Sequence, residues 1–402
     1  MKILVLNSGS SSIKYQLFEK PENKVLLSGI IERIGEENSQ VSHKFHNEDG
    51  TYKKLEIQEP ISDHEKGLKQ IVSLQMDPEY GAIDSADEIV AVGHRVVHGG
   101  EEFSTPTLIN EAVLQKLHKL SYLAPLHNPH NLKGIEVATK IFKGASQVAV
   151  FDTSFHQTMP KHAYRFPIPE SFYLEHGLRA FGFHGTSHQF VSQQAASYLG
   201  IPIDHFNTIT IHLGNGCSMA AIQGGKCVDT SMGLTPLGGL MMGTRSGDID
   251  PSLILFLAQN LSMSVSEIDR LLNKESGLKG LTGDNDLRNI LLRYEKGDSA
   301  AELAIEMYVY RIRKYVGAYA AILGRLDALI FTAGVGENSS FIREKVCENL
   351  NILGVELDEG LNNEKTSGIK EIQSQGASTR VMIVPTNEEL QIVNQVFDLI
   401  GD

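Results

Sequence analysis

The chain has 402 residues, 41% of them hydrophobic and 21% charged, with a formal net charge of -13 at pH 7. That length exceeds the roughly 250–300 residues one core sustains, so two domains are expected, and the balance excludes a disordered chain. The negative charge argues against a nucleic-acid or anionic-membrane partner, since both need a basic surface; an anionic small molecule can still be held by local arginines.

Residues 1–6 are apolar too briefly for a signal-peptide core, and nowhere do about 20 apolar residues run together, so neither leader nor membrane span is expected. Residues 2–7 read as a buried strand, 8–12 as a Gly/Ser turn, 13–19 as a second strand and 25–34 as a third. Residues 20–23 and 47–54 read as polar loops. A short buried strand at 149–152 ends in the carboxylate of Asp152. The opening pattern then returns: strand 208–213, the tight turn Gly214-Asn215-Gly216, strand 218–223 and strand 226–230. Hairpins also recur by chance, so the repeat alone does not prove duplication. Residues 302–324 form a long helix, expected to be buried because it is rich in Ile, Tyr, Val and Ala, and it leads into a strand at 328–332. Strands alternating with helices define an α/β fold. No low-complexity linker separates the halves, which implies a tight hinge. Three cysteines, Cys217, Cys227 and Cys347, show no metal or disulfide spacing and read as reduced, cytoplasmic thiols.

Four glycine-rich segments could offer backbone N–H groups to phosphate oxygens: Asn7–Ser12, His212–Gly216, Gly238–Arg245 and Gly334–Asn338. Any one alone is weak. No G-x-x-x-x-G-K-[ST] or helix-opening G-x-G-x-x-G is present, which disfavours P-loop and Rossmann sites. Ser11-Ser12-Ile13-Lys14 spells S-x-x-K, but it bridges a turn and a strand and lacks companion motifs. Arg95 follows an apolar strand and precedes Gly99-Gly100, where a guanidinium could grip a carboxylate with two parallel bonds. His184 is bracketed by Gly182 and Gly185, and His127 sits in the turn Pro125–Pro129. A structural and a functional role remain equally open for these histidines. Asp152 and Glu388, at a strand end and before an apolar helix, are either caps or partners of a Mg²⁺ that keeps most of its waters.

Six motifs, in order, resemble the acetate and propionate kinase family: Val5–Lys14, Asp152–His156, Gly182–His188, Ile211–Gly224, Phe331–Asn338 and Thr386–Glu389. Only residues 35–85 and 355–380 lack family features. The resemblance implies a duplicated actin-like ATPase (ribonuclease H-like βββαβα) fold. It also implies an N-terminal domain at 1–150, a C-terminal domain at 151–385, a helix at about 386–402 returning to the first, and a site in the cleft. The family is typically homodimeric.

Carried over by position, Asn7 and Glu388 would help hold Mg²⁺ (or Mn²⁺) through waters, and Lys14 would approach the phosphates of ATP or ADP. His212, Leu213, Gly214, Asn215 and Gly216 would cradle phosphate. Asp286, Leu287, Arg288, Gly334, Val335, Gly336, Glu337 and Asn338 would hold adenosine. Arg95 and Arg245 would flank the substrate carboxylate and moving phosphoryl group, with His184 stabilising charge and His127 close to the substrate. Val97, Leu126, Phe183 and Pro236 look like the methyl pocket of acetate-selective members. The implied reaction is direct in-line transfer from ATP to acetate, giving acetyl phosphate and ADP. Family descriptions make Asp152 a proton donor/acceptor. A carboxylic acid with a pKa of about 4 is already ionised at neutral pH, so a Mg²⁺-positioning or Arg-orienting role fits better. Propionate or butyrate kinase, and an actin-like or chaperone-type ATPase, are the alternatives.

Overall fold

A computed structural model describes residues 1–401 other than Glu48, Leu126 and Thr366. The chain divides into two compact units, Met1–Ser154 with Asn387–Asp402, and Phe155–Thr386.

The first unit carries eight strands: β1 (Lys2–Ser8), β2 (Ser12–Glu19), β3 (Lys24–Glu32), β4 (Ser39–His46), β5 (Tyr52–Glu59), β6 (Ile89–Val96), β7 (Thr107–Leu108) and β8 (Ser146–Phe151). They form one sheet in the order β5-β4-β3-β2-β1-β6-β8-β7. β1 through β5 are antiparallel neighbours, while β1, β6 and β8 run parallel. β1 is apolar without alternation because both its faces are covered. Leu4 and Leu6 pack with Leu68, Ile71, Val137 and Ala138 of the helices His64–Gln75 and Asn128–Ile141. Ile3 and Val5 pack with Ile392, Val393 and Val396 of the helix Glu388–Gly401. Gly93 permits that approach, since a Cβ there would lie 2.9 Å from methyls of both Ile392 and Val396.

The second unit carries β9 (Asn207–Leu213), β10 (Cys217–Gln223), β11 (Lys226–Thr230), β12 (Ala328–Thr332), β13 (Lys370–Glu371) and β14 (Arg380–Ile383). Their order is β11-β10-β9-β12-β14-β13. β9, β10 and β11 are antiparallel, and β9, β12 and β14 parallel. The run β11-β10-β9-β12-β14 therefore repeats β3-β2-β1-β6-β8 in both order and direction. Chance recurrence of hairpins does not produce that, and the fold is the duplicated actin-like ATPase fold.

Three local expectations need correction. Tyr52–Lys54 belong to the edge strand β5, not to a loop at 47–54; charged side chains at an exposed edge disguise a strand as a loop. The long helix, Ser299–Leu323, buries one face through residues such as Ala304, Tyr308, Ile312 and Val316, but leaves Leu303, Tyr310 and Ile322 half exposed. Residues 334–338 are not a turn but part of a helical segment, Ala333–Asn338, entered through Ala333 at φ +63°. Among the described residues no helix is long and apolar enough to cross a membrane.

Candidate active site

In the first unit the sheet register gathers the candidate residues at one end. Asn7 pairs with Lys14 across β1 and β2, and Leu6 with His94 across β1 and β6, so Asn7 and Arg95 lie near the carboxyl ends of parallel strands. Asp152 is the residue after β8. In open α/β sheets ligands bind outside these strand ends. Arg95 Nε donates to Asp152 Oδ1 at 2.9 Å and Nη2 to Oδ2 at 2.8 Å, a two-pronged ion pair; Nη1 lies 3.5 Å from Glu388 Oε2. The Asp152 side chain is 3% exposed and that of Arg95 20%. Burial opposes charge on Arg95, but Asp152, Glu388 and Glu389 outweigh it and raise its pKa further. Burial pushes the Asp152 carboxyl up while Arg95 pulls it back and Glu388 pushes it up again. With two charge-assisted bonds on it, the pair is held as ions.

Lys14 Nζ lies 2.5 Å from Glu389 Oε1, so its ammonium is paired and aimed at the first turn of the helix Glu388–Gly401. Val97 N–H donates to Asn131 Oδ1 at 3.1 Å, and His127 caps the helix that carries Asn131. Leu126 lies outside the described residues.

In the second unit a stack of imidazoles stands beside the glycine turn that follows β9. The rings of His184 and His212 are 4.3 Å apart and 18° from parallel. His184 occupies left-handed backbone, φ +55°, at the start of the helix Gly185–Leu199. Such backbone is strained for a non-glycine residue and tends to mark functional sites. His156 Nε2 donates to the Phe183 carbonyl at 2.9 Å, holding the preceding residue. Around Gly216, a Cβ would meet His184 Nε2 and Arg245 Nη1, each at 3.5 Å. Arg245 Nη1 donates to Pro236 O at 3.3 Å; burial lowers the Arg245 pKa and nearby Cys217 partly restores it. Position 216 thus faces a guanidinium and an imidazole together.

The same unit holds a cavity of about 700 Å³, within the range of about 300–1,000 Å³ that ligand pockets span. Gly214, Asn215, Asp286, Leu287, Arg288, Gly334, Val335 and Asn338 line it, joined by Gly243, Leu278, Leu291 and Tyr308. His212, Leu213, Gly216, Gly336 and Glu337 are not in its lining; Glu337 instead accepts from Thr386 N–H at 3.1 Å. Asp286 caps the helix Leu287–Tyr294 and forks with Arg288, whose Nη2 lies 2.6 Å from its Oδ2.

Several supporting residues escaped sequence reasoning. Buried Asn131 ties Val97 N–H to the Ser8 carbonyl, and Asn128 bridges both backbone groups of His98. Their Asn-x-x-Asn spacing at a helix start was the available signal. Arg343, 3% exposed, donates to the carbonyls of Gly336, Glu337 and Asn362 and fixes the end of the Ala333–Asn338 segment. An arginine followed by Glu344 and Lys345 on a short helix gives no sign of such a role.

A duplicated actin-like fold with a nucleotide-sized cavity over a glycine turn is that of a nucleotide-dependent kinase or ATPase. The sequence matches the acetokinase family over residues 2–394. It is 50% identical over 402 residues to the acetate kinase of Lawsonia intracellularis, covering 100% of both chains. Two crystal structures superpose along nearly the whole chain: Porphyromonas gingivalis acetate kinase (TM-score 0.93, 44% identity, 99% of each chain) and a propionate kinase from Francisella tularensis (TM-score 0.90, 42% identity, 98% of each). The chain belongs to the acetokinase family. That membership leaves the chaperone-type ATPase reading without support.

Proposed function

We propose that the protein moves the γ-phosphoryl group of ATP onto acetate, reversibly, giving acetyl phosphate and ADP. One observation carries this reading: Arg245 Nη1 and His184 Nε2 converge on Gly216, while Gly214 and Asn215 of the same turn line the nucleotide-sized cavity. The adenosine of ATP takes the cavity between Asp286–Arg288 and Gly334–Asn338, and the phosphates follow the turn towards Arg245 and His184. Phosphoryl transfer through a loose transition state asks mainly for positioning and charge stabilisation, which these groups supply. Arg95 grips the acetate carboxylate, and Asp152 orients Arg95. No base is required, because the acid is already ionised.

The oxygen-only donors Asn7 and Glu388 suit a hard cation that keeps most of its waters. Asn7 stands on β1 and Glu388 opens the helix packed against that strand. When bound with the nucleotide, Mg²⁺ neutralises phosphate charge. Among the described residues no group of three or more His, Cys, Asp or Glu gathers for a metal, and two oxygen donors are all that such a cation needs.

By the family resemblance, Val97, Phe183 and Pro236 are the candidates to meet the methyl group of the acid. One extra methylene changes discrimination by only about 1–3 kcal/mol, so propionate is a poorer substrate and not an excluded one. Hydroxamate trapping of the product from ATP with acetate, propionate or butyrate tests the assignment. Equal kcat/KM for the three acids removes acetate selectivity, and no acyl phosphate from any of them overturns the function.

The protein also pairs with a second copy through the helix Pro251–Asn260 in this reading. Leu253, Ile254, Leu255 and Phe256 are all exposed on it, and it carries no charged residue, so self-pairing brings no like charges together. Sedimentation of Leu255→Asp against the parent checks this. A cytoplasmic location accords with three cysteines that are all buried free thiols.

A further inference from the structure

Ser218 Oγ lies 2.8 Å from His184 Nδ1 and 2.8 Å from His188 Nε2, and His188 Nδ1 lies 2.7 Å from Thr210 Oγ1. Ser218, His188 and Thr210 are each 0% exposed. Four groups thus form one chain, and its polarity follows from its far end. Among the described residues the Thr210 hydroxyl has one side-chain partner, His188 Nδ1. If His188 Nδ1 carried the proton, the Thr210 hydrogen would be buried without an acceptor, which is costly. The hydroxyl therefore donates to Nδ1, and His188 carries its proton on Nε2 and gives it to Ser218 Oγ. Ser218, already accepting, turns its own hydrogen to His184 Nδ1. His184 is left with its proton on Nε2, the nitrogen 3.5 Å from the Cβ position of Gly216.

We infer that Ser218, His188 and Thr210 are positioning residues that lock His184 in the neutral Nε2–H tautomer, so that it donates towards the Gly216 turn where the transferring phosphoryl group is held. Burial, then His156 and His212, keep His188 neutral, which the relay requires. The groups that face His184 include His212, stacked on it, Arg245, which shares the Gly216 position, and His188 through Ser218. A positively charged His184 would need its Nδ1 proton to meet the Ser218 hydrogen head on, so the relay opposes protonation. An imidazole that must donate without becoming an imidazolium needs this second-nitrogen control.

The kinetic consequence rests on the phosphoryl-transfer reading; the tautomer does not. The test is long-range ¹H–¹⁵N NMR of histidine-labelled protein, with His184→Gln to assign the signal, beside steady-state kinetics of Ser218→Ala and Thr210→Val. The parent is expected to show His184 protonated on Nε2, and both variants a mixture of tautomers. Their kcat should fall about tenfold, the worth of one hydrogen bond, with KM for ATP and acid nearly unchanged. The acid limb of kcat should move to higher pH in both. Thr210→Val preserves volume, so it reads the relay even if Ser218→Ala fails to fold. A parent protonated on Nδ1, or variants that retain the parent tautomer and kcat, overturns the inference. A parent with the expected tautomer but no acyl phosphate product overturns the proposed reaction and leaves the relay standing.

Discussion

Replacing Asp152 by Asn tests how the buried ion pair serves the substrate. Asparagine keeps one acceptor oxygen for Arg95 Nε, at 2.9 Å in the parent, but turns an amide N–H₂ towards Nη2, which now sits 2.8 Å from Oδ2. One charge-assisted bond is lost, about 1.5–3 kcal/mol. The larger figure for breaking a buried pair, about 3–5 kcal/mol, is an upper bound because Glu388, 3.5 Å from Nη1, still balances the guanidinium. Felt in the transition state, the loss is about 10- to 150-fold in kcat/KM for acetate. The assay is ADP formation and hydroxamate yield across pH and Mg²⁺ concentration, with thermal unfolding alongside. The expected result is an even depression at every pH, a shifted Mg²⁺ requirement and a lower Tm. A rate that instead loses its pH dependence while its Mg²⁺ response stays the same would make Asp152 a proton-transfer group and refute the orienting role.

Val97→Ala should narrow the acetate/propionate ratio of kcat/KM by less than the about 1–3 kcal/mol that a methylene commands; an unchanged ratio removes Val97 from the pocket. Gly182→Ala forces a left-handed residue, φ +74°, and sets a Cβ 2.5 Å from Thr230 Cγ2 and 2.7 Å from the His156 ring. It should destabilise by about 2–4 kcal/mol in denaturant titrations and depress kcat, since Phe183 and His184 follow directly. Burial lowers the pKa of His94 and of His156 from 6.5 to about 4, so the unfolded chain takes up protons first on acidification. Stability should fall as pH drops from 6.5 towards 4, with Asp229, raised by burial to about 6, opposing the trend. Denaturant midpoints that stay level over that window contradict this, and His94→Gln should flatten the slope.

The duplication was legible because each copy repeats strand, small turn and strand, and continuous apolar runs such as Ile3–Leu6 require a sheet covered on both faces. Gly214 and Asn215 were legible in a glycine motif, and Asp286–Arg288 only through the family resemblance; all five residues line the cavity. What stayed hidden depends on partners far apart in sequence. Ser218 is an unremarked strand serine until β10 brings it between two histidines of another element, and Arg343 takes its meaning from carbonyls it meets only after folding. The start of edge strand β5 failed for a different reason: Tyr52, Lys53 and Lys54 are all exposed, so no apolar alternation marks them as strand.

The helix Glu388–Gly401 covers Ile3, Val5, Ala91, Val148 and Val150 of the first sheet, yet all of residues 155–386 lie between it and β8 in the chain. During synthesis the ribosome must finish the second unit before that apolar face can be shielded, and Glu388 joins Arg95 only then. A nascent polypeptide therefore carries a sticky, catalytically incomplete amino-terminal half for most of its translation, the kind of surface on which chaperones act.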